Sequence, residues 1–334
     1  MSTCHVPWKD PYSPPVRLSP GFEKKELSVY KLDLDAFCQF ACIYCSSNTG
    51  NLMRMNSSKI EEWSESQVGT RLNPVKDADR FYISYPGIIE KLAEQIDSQP
   101  KLRTLEVTLQ FGMLVDNFSP HLVQEGVTLT CLRMLFERTR FRVRALTKSN
   151  LVAKPEFIEL FKRFPNRIVV GSSCGTLSNG IMEVEKYTSI PRARAAAIRT
   201  LQEAGIQTFG MFCPILPGFH AKEEIAQLYP AFNPMLLGTV WCEPYNDRLN
   251  WKRLRDHVSN KALQDAISNV MTNKRNWARY ALDLARHHAE TLENIGFKGK
   301  SIFLLYEAGM TPDEMAEARR IPGVLFQSDP SLNS

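Results

Sequence analysis

Cys38, Cys42 and Cys45 stand at C-x3-C-x2-C spacing in the run LDLDAFCQFACIYCSSNTG. Three thiolates in one tight loop are an incomplete metal set. A closed zinc site, or an ordinary iron–sulfur cluster, takes four protein ligands. A cube of four irons held by three cysteines keeps one iron open to another ligand. Zinc is the competing reading, but no cysteine or histidine lies between Cys45 and His121, so a fourth ligand at zinc-finger spacing is missing. Buried thiols that merely fill a core are the other. Three of them in a polar, turn-rich loop would be an odd core.

On these residues the chain resembles the radical S-adenosylmethionine (radical SAM) enzymes. The resemblance implies a [4Fe-4S] cluster on Cys38, Cys42 and Cys45, with S-adenosylmethionine chelating the open iron. It further implies reductive cleavage to a 5′-deoxyadenosyl radical that takes hydrogen from substrate. The cofactor carries that chemistry, and the protein positions it and excludes water. Tyr44, just before Cys45, matches a family aromatic that packs near the cluster and the adenine, so it stands as both a cofactor-binding and a catalytic candidate.

Such a loop needs elements to hold it. SVYKLDLD (Ser28 to Asp35) alternates like a strand and delivers the chain into the cysteines. Residues 1–27, rich in proline, read as an extended N-terminal arm. Residues 46–84 are polar and irregular, with one short helix around SSKIEEWSESQ, and read as an insertion or lid. From Pro86 the pattern is regular. Strands are expected at Leu102–Phe111, Phe141–Thr147, Arg167–Ser173, in IQTFGMFCPILPG and in LLGTVWCEP. Between them lie helices in GIIEKLAEQIDS, PHLVQEGVTLTCLRMLFERT, KPEFIELFKRF, PRARAAAIRTLQEA and AKEEIAQLY. Thr188 or Ser189 is expected to cap PRARAAAIRTLQEA, with Pro191 in its first turn and Gly205 as the stop.

This alternation argues for parallel βαβ units with right-handed crossovers. About six strands precede Asn246, which suits the partial (β/α)6 barrel that the resemblance implies over residues 28–250. Residues 251–334 read as a C-terminal extension: one long helical stretch from Asn260 to Phe297, a strand at Ser301–Tyr306, a capped helix in TPDEMAEARR and a tail.

The 334 residues include 43% hydrophobic ones, enough for a sizeable core. There is no apolar leader at the start and no 18-residue apolar stretch, so a cytoplasmic protein without a membrane partner is expected. Eight cysteines, five of them scattered, suit reduced thiols better than a disulfide framework. The net charge of +5 permits a nucleic-acid partner without demanding one. Basic residues gather at Arg133–Arg144, at Arg192, Arg194 and Arg199, and in WKRLRDH (Trp251–His257). An ordinary solvated face explains each.

TKSNLV, VVGSSCGTLS and EKYTSIPRARAAAIRTLQEAGIQTFGMFCPILPG follow the order of the spore photoproduct lyase-like, or DNA repair photolyase-like, branch. The likeness spans roughly residues 28–245. It implies that Lys148 and Ser172 bind S-adenosylmethionine at strand ends, with Ser173 in place of Ser172 if the alignment slips by one. Strand C-termini face the site in such parallel barrels. It also matches Arg194 to a family arginine and Glu185 to the glutamate ahead of it, with Arg194 as a cofactor or substrate contact or the two as a structural Arg–Glu pair. Pro214, Pro217 and Gly218 read as a structural turn. Two departures matter. The branch returns hydrogen through a cysteine where this chain has Leu109 or Gln110, and it has a tyrosine where Ser46 follows Cys45.

Cys174, Cys213 and Cys242 fall near strand ends. They are candidates for a substitute hydrogen donor or for ligands of a second cluster, or else are buried small hydrophobes. Glu243 is a candidate substrate contact or a rim salt bridge. His121, His220, His257, His287 and His288 show no ligand spacing.

The expected function is a radical SAM enzyme (lyase, isomerase or modifying transferase) acting on a nucleic-acid base, in lesion repair or pyrimidine modification. A DNA or RNA substrate and a one-electron donor such as flavodoxin or ferredoxin would be its partners. Trp63, Phe81, Tyr82 and Tyr85 could stack a flipped base. A radical SAM enzyme on a small molecule or peptide, and a non-catalytic iron–sulfur sensor, are the alternatives.

Overall fold

The computed structural model describes residues 4–7, 14–20, 27–49, 51–246 and 250–326. The chain divides into two compact units, residues 1–169 with 184–188, and residues 170–183 with 189–334. Strands are numbered in chain order.

The first unit holds two sheets. In the smaller, β1 (Cys4–Pro7) runs parallel to β5 (Phe81–Ser84), and β4 (Asp35–Phe37) lies antiparallel to β5 on its other edge. In the larger, β2 (Val16–Leu18) is antiparallel to β3 (Tyr30–Leu32), and β3, β6 (Thr108–Phe111) and β7 (Arg142–Thr147) are parallel. The period of two sorts the faces. Leu32, Phe111 and Ala145 are in register and fully buried, while Lys31, Gln110 and Arg144 form the adjacent register row. Helix Ile88–Ser98 buries Ile88, Leu92 and Ile96, one stripe at a spacing of four.

The expected arm is, over its described residues, two short strands paired into these sheets. In residues 46–84 the expected helix around SSKIEEWSESQ forms as Ser57–Val68, but the rest is less irregular than expected, with helices Ser46–Thr49 and Asn51–Met55 before it and β5 after. Ile60, Leu72, Ala78, Phe81 and Ile83 close a small core with Val6 and Phe37, and the Phe37 and Phe81 rings stack at 5.0 Å. These apolar residues are too far apart in sequence to show a period, and two partners lie outside the segment.

The second unit carries a parallel sheet. From Val170 onward β8 (Ile168–Ser173) pairs with β9 (Thr208–Ile215), followed by β10 (Leu237–Pro244), β11 (Lys300–Leu305) and β12 (Val324–Phe326). The six strands expected before Asn246 are β3, β6 and β7 in the first unit and β8, β9 and β10 in the second. Neither unit closes a barrel. β11 continues the sheet beside β10, so the region after 250 is more than appended helices.

Several boundaries moved. Leu102–Phe111 is not one strand: Lys101–Thr104 is a helical turn before β6. PHLVQEGVTLTCLRMLFERT breaks into Pro120–Gln124 and Val127–Arg138 at Gly126, whose φ of 73° favours glycine. The long C-terminal helix breaks at Asn273, whose side chain accepts from Arg275 N and Asn276 N to cap Lys274–Asn294. Neither Thr188 nor Ser189 caps Pro191–Glu203; Ile190 holds that place without a side-chain bond. The Thr188 hydroxyl donates instead to the Glu185 carbonyl at 2.8 Å. Thr311 forms the expected capping box with Glu314. Among the described residues no helix is long and apolar enough to cross a membrane. The tail from 327 lies outside the described residues.

His288, fully buried, shares hydrogen bonds with Tyr229 Oη (2.6 Å) and Ser301 Oγ (2.8 Å). Burial lowers its pKa from 6.5 to about 3. A depressed base contributes stability above its unfolded pKa, and that stability is lost as pH falls toward the folded value. Unfolding free energy is therefore expected to drop by roughly 1.4 kcal/mol per pH unit below 6.5 from this group. Urea titrations across pH 7 to 5 check it, and His288→Gln should flatten the profile. Asn273→Ala should cost about 1 kcal/mol in the same assay at pH 7.

Candidate functional site

The cysteine loop leaves β4 at Phe37 and turns at once. Ala41 takes a left-handed φ of 47°, a small residue where the backbone is strained. Ala41 N donates to Cys38 O at 3.3 Å and Cys45 N to Cys42 O at 2.9 Å, while Ile43 N donates to Val184 O at 2.9 Å. Cys38 and Cys42 are buried and Cys45 is half-buried. Burial, then the nearby Asp116, pushes the Cys38 thiol well above its usual pKa, and the neighbouring Cys42 and Cys45 add to it. Among the described residues, no three His, Cys, Asp or Glu side chains stand ready in metal-holding geometry.

Asp116 is the residue that ties this loop to the sheet. It lies in the turn after β6, and its amide faces Cys38 Sγ at 3.4 Å. Its carboxylate accepts from Thr147 Oγ1 (2.8 and 3.0 Å), Lys148 N (2.6 Å) and Phe118 N (2.9 Å). Burial raises its pKa, and these hydrogen bonds pull it back. The C-terminal end of β7 is thereby fixed against the thiols.

Lys148, the next residue, points its ammonium to Glu185 Oε1 at 2.7 Å and to Tyr44 Oη. It also stands 3.8 Å from Cys42 Sγ and 4.6 Å above the Tyr44 ring. Tyr44 Oη in turn donates to Glu185 Oε1. Glu185 is 2% exposed and the Lys148 side chain 13%. Three sequence-derived candidates, Cys42, Tyr44 and Lys148, therefore meet in one cluster of the first unit, with Glu185 as their carboxylate.

A second network flanks the loop. His121 Nε2 lies 2.8 Å from Asp35 Oδ2, and Nδ1 lies 3.0 Å from Gln39 Oε1 and 3.2 Å from Ser119 Oγ. Burial raises the Asp35 pKa against the lowering effect of His121. His121 also packs on Tyr82 at 4.3 Å, and His5 stacks on the same ring at 5.0 Å. Phe81 and Tyr82 are buried in these contacts, so of the four aromatics expected to stack a base they are spoken for. Trp63 packs on the small core, and Tyr85 borders a cavity.

The second unit places its own candidates. Ser172, 2% exposed, buries a hydroxyl with no hydrogen-bond partner among the described residues, whereas Ser173 Oγ donates to Cys213 O at 2.8 Å. Arg194 is 1% exposed and donates to the carbonyls of Ser189 (2.7 Å) and Ser173 (3.0 Å). Cys174 Sγ faces Thr176 O at 3.2 Å. Cys242 is buried, and burial raises its pKa far above the thiol range, with Tyr229 beside it. Glu243 accepts from Tyr306 Oη at 2.8 Å and Asn246 Nδ2 at 3.5 Å. Within the basic clusters, Arg138 pairs with Asp97, Arg140 with Glu106 at 3.0 Å and Arg255 with Asp256 at 2.6 Å.

Sequence reasoning missed Asp116, Asp35 and Gln39. An aspartate in a turn directly after a strand, FGMLVDN, was the one visible signal for the first.

No protein-family model matches the chain, and no curated protein matches it in sequence. Its structural neighbours are spore photoproduct lyases. A tyrosine-to-phenylalanine mutant of that enzyme superposes with a TM-score of 0.52 at 15% identity, over 89% of this chain and 80% of the other. The enzyme complexed with dinucleoside spore photoproduct gives 0.52 at 15%, over 90% and 81%. A cysteine-to-serine mutant gives 0.51 at 14%, over 90% and 81%. The chain is built on the spore photoproduct lyase fold.

Glu185→Ala removes a carboxylate from a buried ammonium and should destabilise the chain by about 3 kcal/mol, against a smaller loss in Glu185→Gln. Urea unfolding at pH 7 measures both.

Proposed function

We propose that this protein is a radical SAM enzyme acting on a nucleic-acid base, in lesion repair or in modification of a pyrimidine. The observation that carries the reading is the convergence of Lys148, Tyr44 and Glu185 on Cys42 of the three-cysteine loop. The fold supports it, since the same fold serves an enzyme solved with dinucleoside spore photoproduct. On this reading the open, partial (β/α)6 barrel spans residues 28–250, with 46–84 as an insertion and residues after 250 as an extension.

The residues present suit a cluster and its nucleotide. Cys38, Cys42 and Cys45 would hold a [4Fe-4S] cluster, and a backbone amide from Asp116 on Cys38 Sγ is the kind of N–H···S contact that tunes one. Bound there with S-adenosylmethionine, the cluster supplies one-electron cleavage to a 5′-deoxyadenosyl radical. The orphaned hydroxyl of Ser172 fits a ligand that completes its hydrogen bonding. Ser173 is already committed, so Ser172 is the better cofactor contact of the two.

The chain's own contribution is electrostatic and positional. Glu185 keeps the Lys148 ammonium charged out of water and aimed at the loop, where it can meet a carboxylate. Tyr44 braces both. Arg194 holds the β8 end through the Ser173 carbonyl and is read as a positioning residue. Leu109 or Gln110 stands where the lyases carry a thiol, and the Gln110 amide donates to Gly112 O at 3.1 Å. Neither leucine nor an amide can return a hydrogen atom as a thiol does, so repair by that relay is not assigned. Cys174, Cys213 and Cys242 stay as candidates for that step, with Cys174 and Cys242 buried, and Glu243 stays as a candidate substrate contact.

Anaerobic reconstitution with iron, sulfide, S-adenosylmethionine and a strong reductant should yield 5′-deoxyadenosine. Cys38→Ala, Cys42→Ala and Cys45→Ala should abolish it, and Lys148→Ala should reduce it at least tenfold by chromatographic assay. Four-coordinate zinc at the loop, or turnover that survives loss of a cysteine, would defeat the reading.

A further inference from the structure

Gln39 follows the first cysteine of the loop, and His121 holds it. Gln39 Oε1 faces two nitrogens of that residue, the backbone N at 3.3 Å and the ring Nδ1 at 3.0 Å. A backbone N–H can only donate, so it fixes the amide with its oxygen toward His121. Nδ1, facing the same oxygen, then carries the ring proton, with Ser119 Oγ beside it at 3.2 Å. In the neutral ring this leaves Nε2 as a lone pair.

That lone pair meets a carboxyl. Nε2 lies 2.8 Å from Asp35 Oδ2, close but out of line for a full hydrogen bond, and neither atom has another partner among the described residues. The two side chains are 8% and 1% exposed. At that distance a bare carboxylate and a bare ring nitrogen repel, and burial leaves little screening. One proton between them makes the contact attractive. Burial holds the Asp35 carboxyl above its usual pKa, and the charges of Glu125 and Asp33 add to that, so the one-proton state is favoured. The other groups facing the pair are Tyr82, whose phenol burial pushes up to about 12, and His5, stacked on the same Tyr82 ring. A protonated His5 opposes charge on His121.

We propose that Asp35 and His121 form a one-proton latch on the cysteine loop. With the proton in place the ring is held and clamps Gln39; without it the ring turns away and Cys38 is released. The shared proton is present at low pH and lost as pH rises, so the loop is held in acidic to neutral solution and freed in alkaline solution. Both residues act through Gln39 and are positioning residues. The latch works on the thiols with or without a cluster, and so goes beyond the cofactor reading.

The test uses the full, metal-free chain between pH 6 and pH 9. Histidine-selective nitrogen NMR, with His121→Gln to assign one of the six imidazoles, should show His121 protonated at Nδ1 throughout. Alkylation of Cys38 by iodoacetamide is read by mass spectrometry against the half-buried Cys213 of the same chain. Across that range it should rise about tenfold more in the parent than in Asp35→Asn, the worth of one lost charge-assisted contact. The asparagine amide donates to Nε2 at every pH and keeps the latch shut. Should Asp35→Asn fail to fold, Gln39→Ala reads instead, and it should expose Cys38 already at pH 6. The proposal is overturned if neutral His121 carries its proton on Nε2 alone, if Cys38 responds to pH alike in the parent and in Asp35→Asn, or if Gln39→Ala leaves Cys38 as protected as before. A working latch in a chain that makes no 5′-deoxyadenosine sinks the cofactor reading alone. 5′-Deoxyadenosine made by a chain without the pH step sinks the latch alone.

Discussion

An ammonium taken out of water needs a counter-charge within a few ångströms, and Lys148 has Glu185 at 2.7 Å. That pair fixes more than its own geometry. It draws the end of β7, the segment around Glu185 and the last turn of the cysteine loop to one point, with Tyr44 as the shared hydrogen-bond partner. Asp116 repeats the device through backbone: its carboxylate takes the Lys148 amide and its own amide takes Cys38 Sγ. The loop is thus anchored at Cys38 and at Tyr44 by two acids from elsewhere in the chain.

The cost of this arrangement explains its surroundings. Burial has raised the pKa values of two carboxyls, Asp116, which is surrounded by donors that offset the penalty, and Asp35, which has only the His121 ring beside it. Tyr82 and His5 stack outward from that ring. The small sheet of β1, β4 and β5 with helix Ser57–Val68 gives that network an apolar floor.

Periodic features were the legible ones. The strands β7, β8, β9 and β10 and the helices between them follow from apolar alternation and from Pro and Gly punctuation, because burial repeats along one element. Errors fell where a single residue decides. Asn273 splits a helix by capping, Gly126 splits another by its φ, and Ile190 displaced the expected caps. Beyond its one expected helix, residues 46–84 looked irregular because Ile60, Leu72 and Phe81 bury themselves against Val6 and Phe37, outside the stretch.

The sequence by itself determined that three thiols share one loop after a strand, and that the chain alternates into parallel α/β structure. Both are local facts, written in spacing. Only the tertiary structure decided that Lys148 meets Tyr44 across 104 positions and that Tyr44 meets Glu185 across 141. It likewise left Ser172 and Asp35 with buried polar atoms to offer. Single charged contacts between distant segments leave no period in a sequence, because each depends on where the backbone brings one side chain and on what water it excludes.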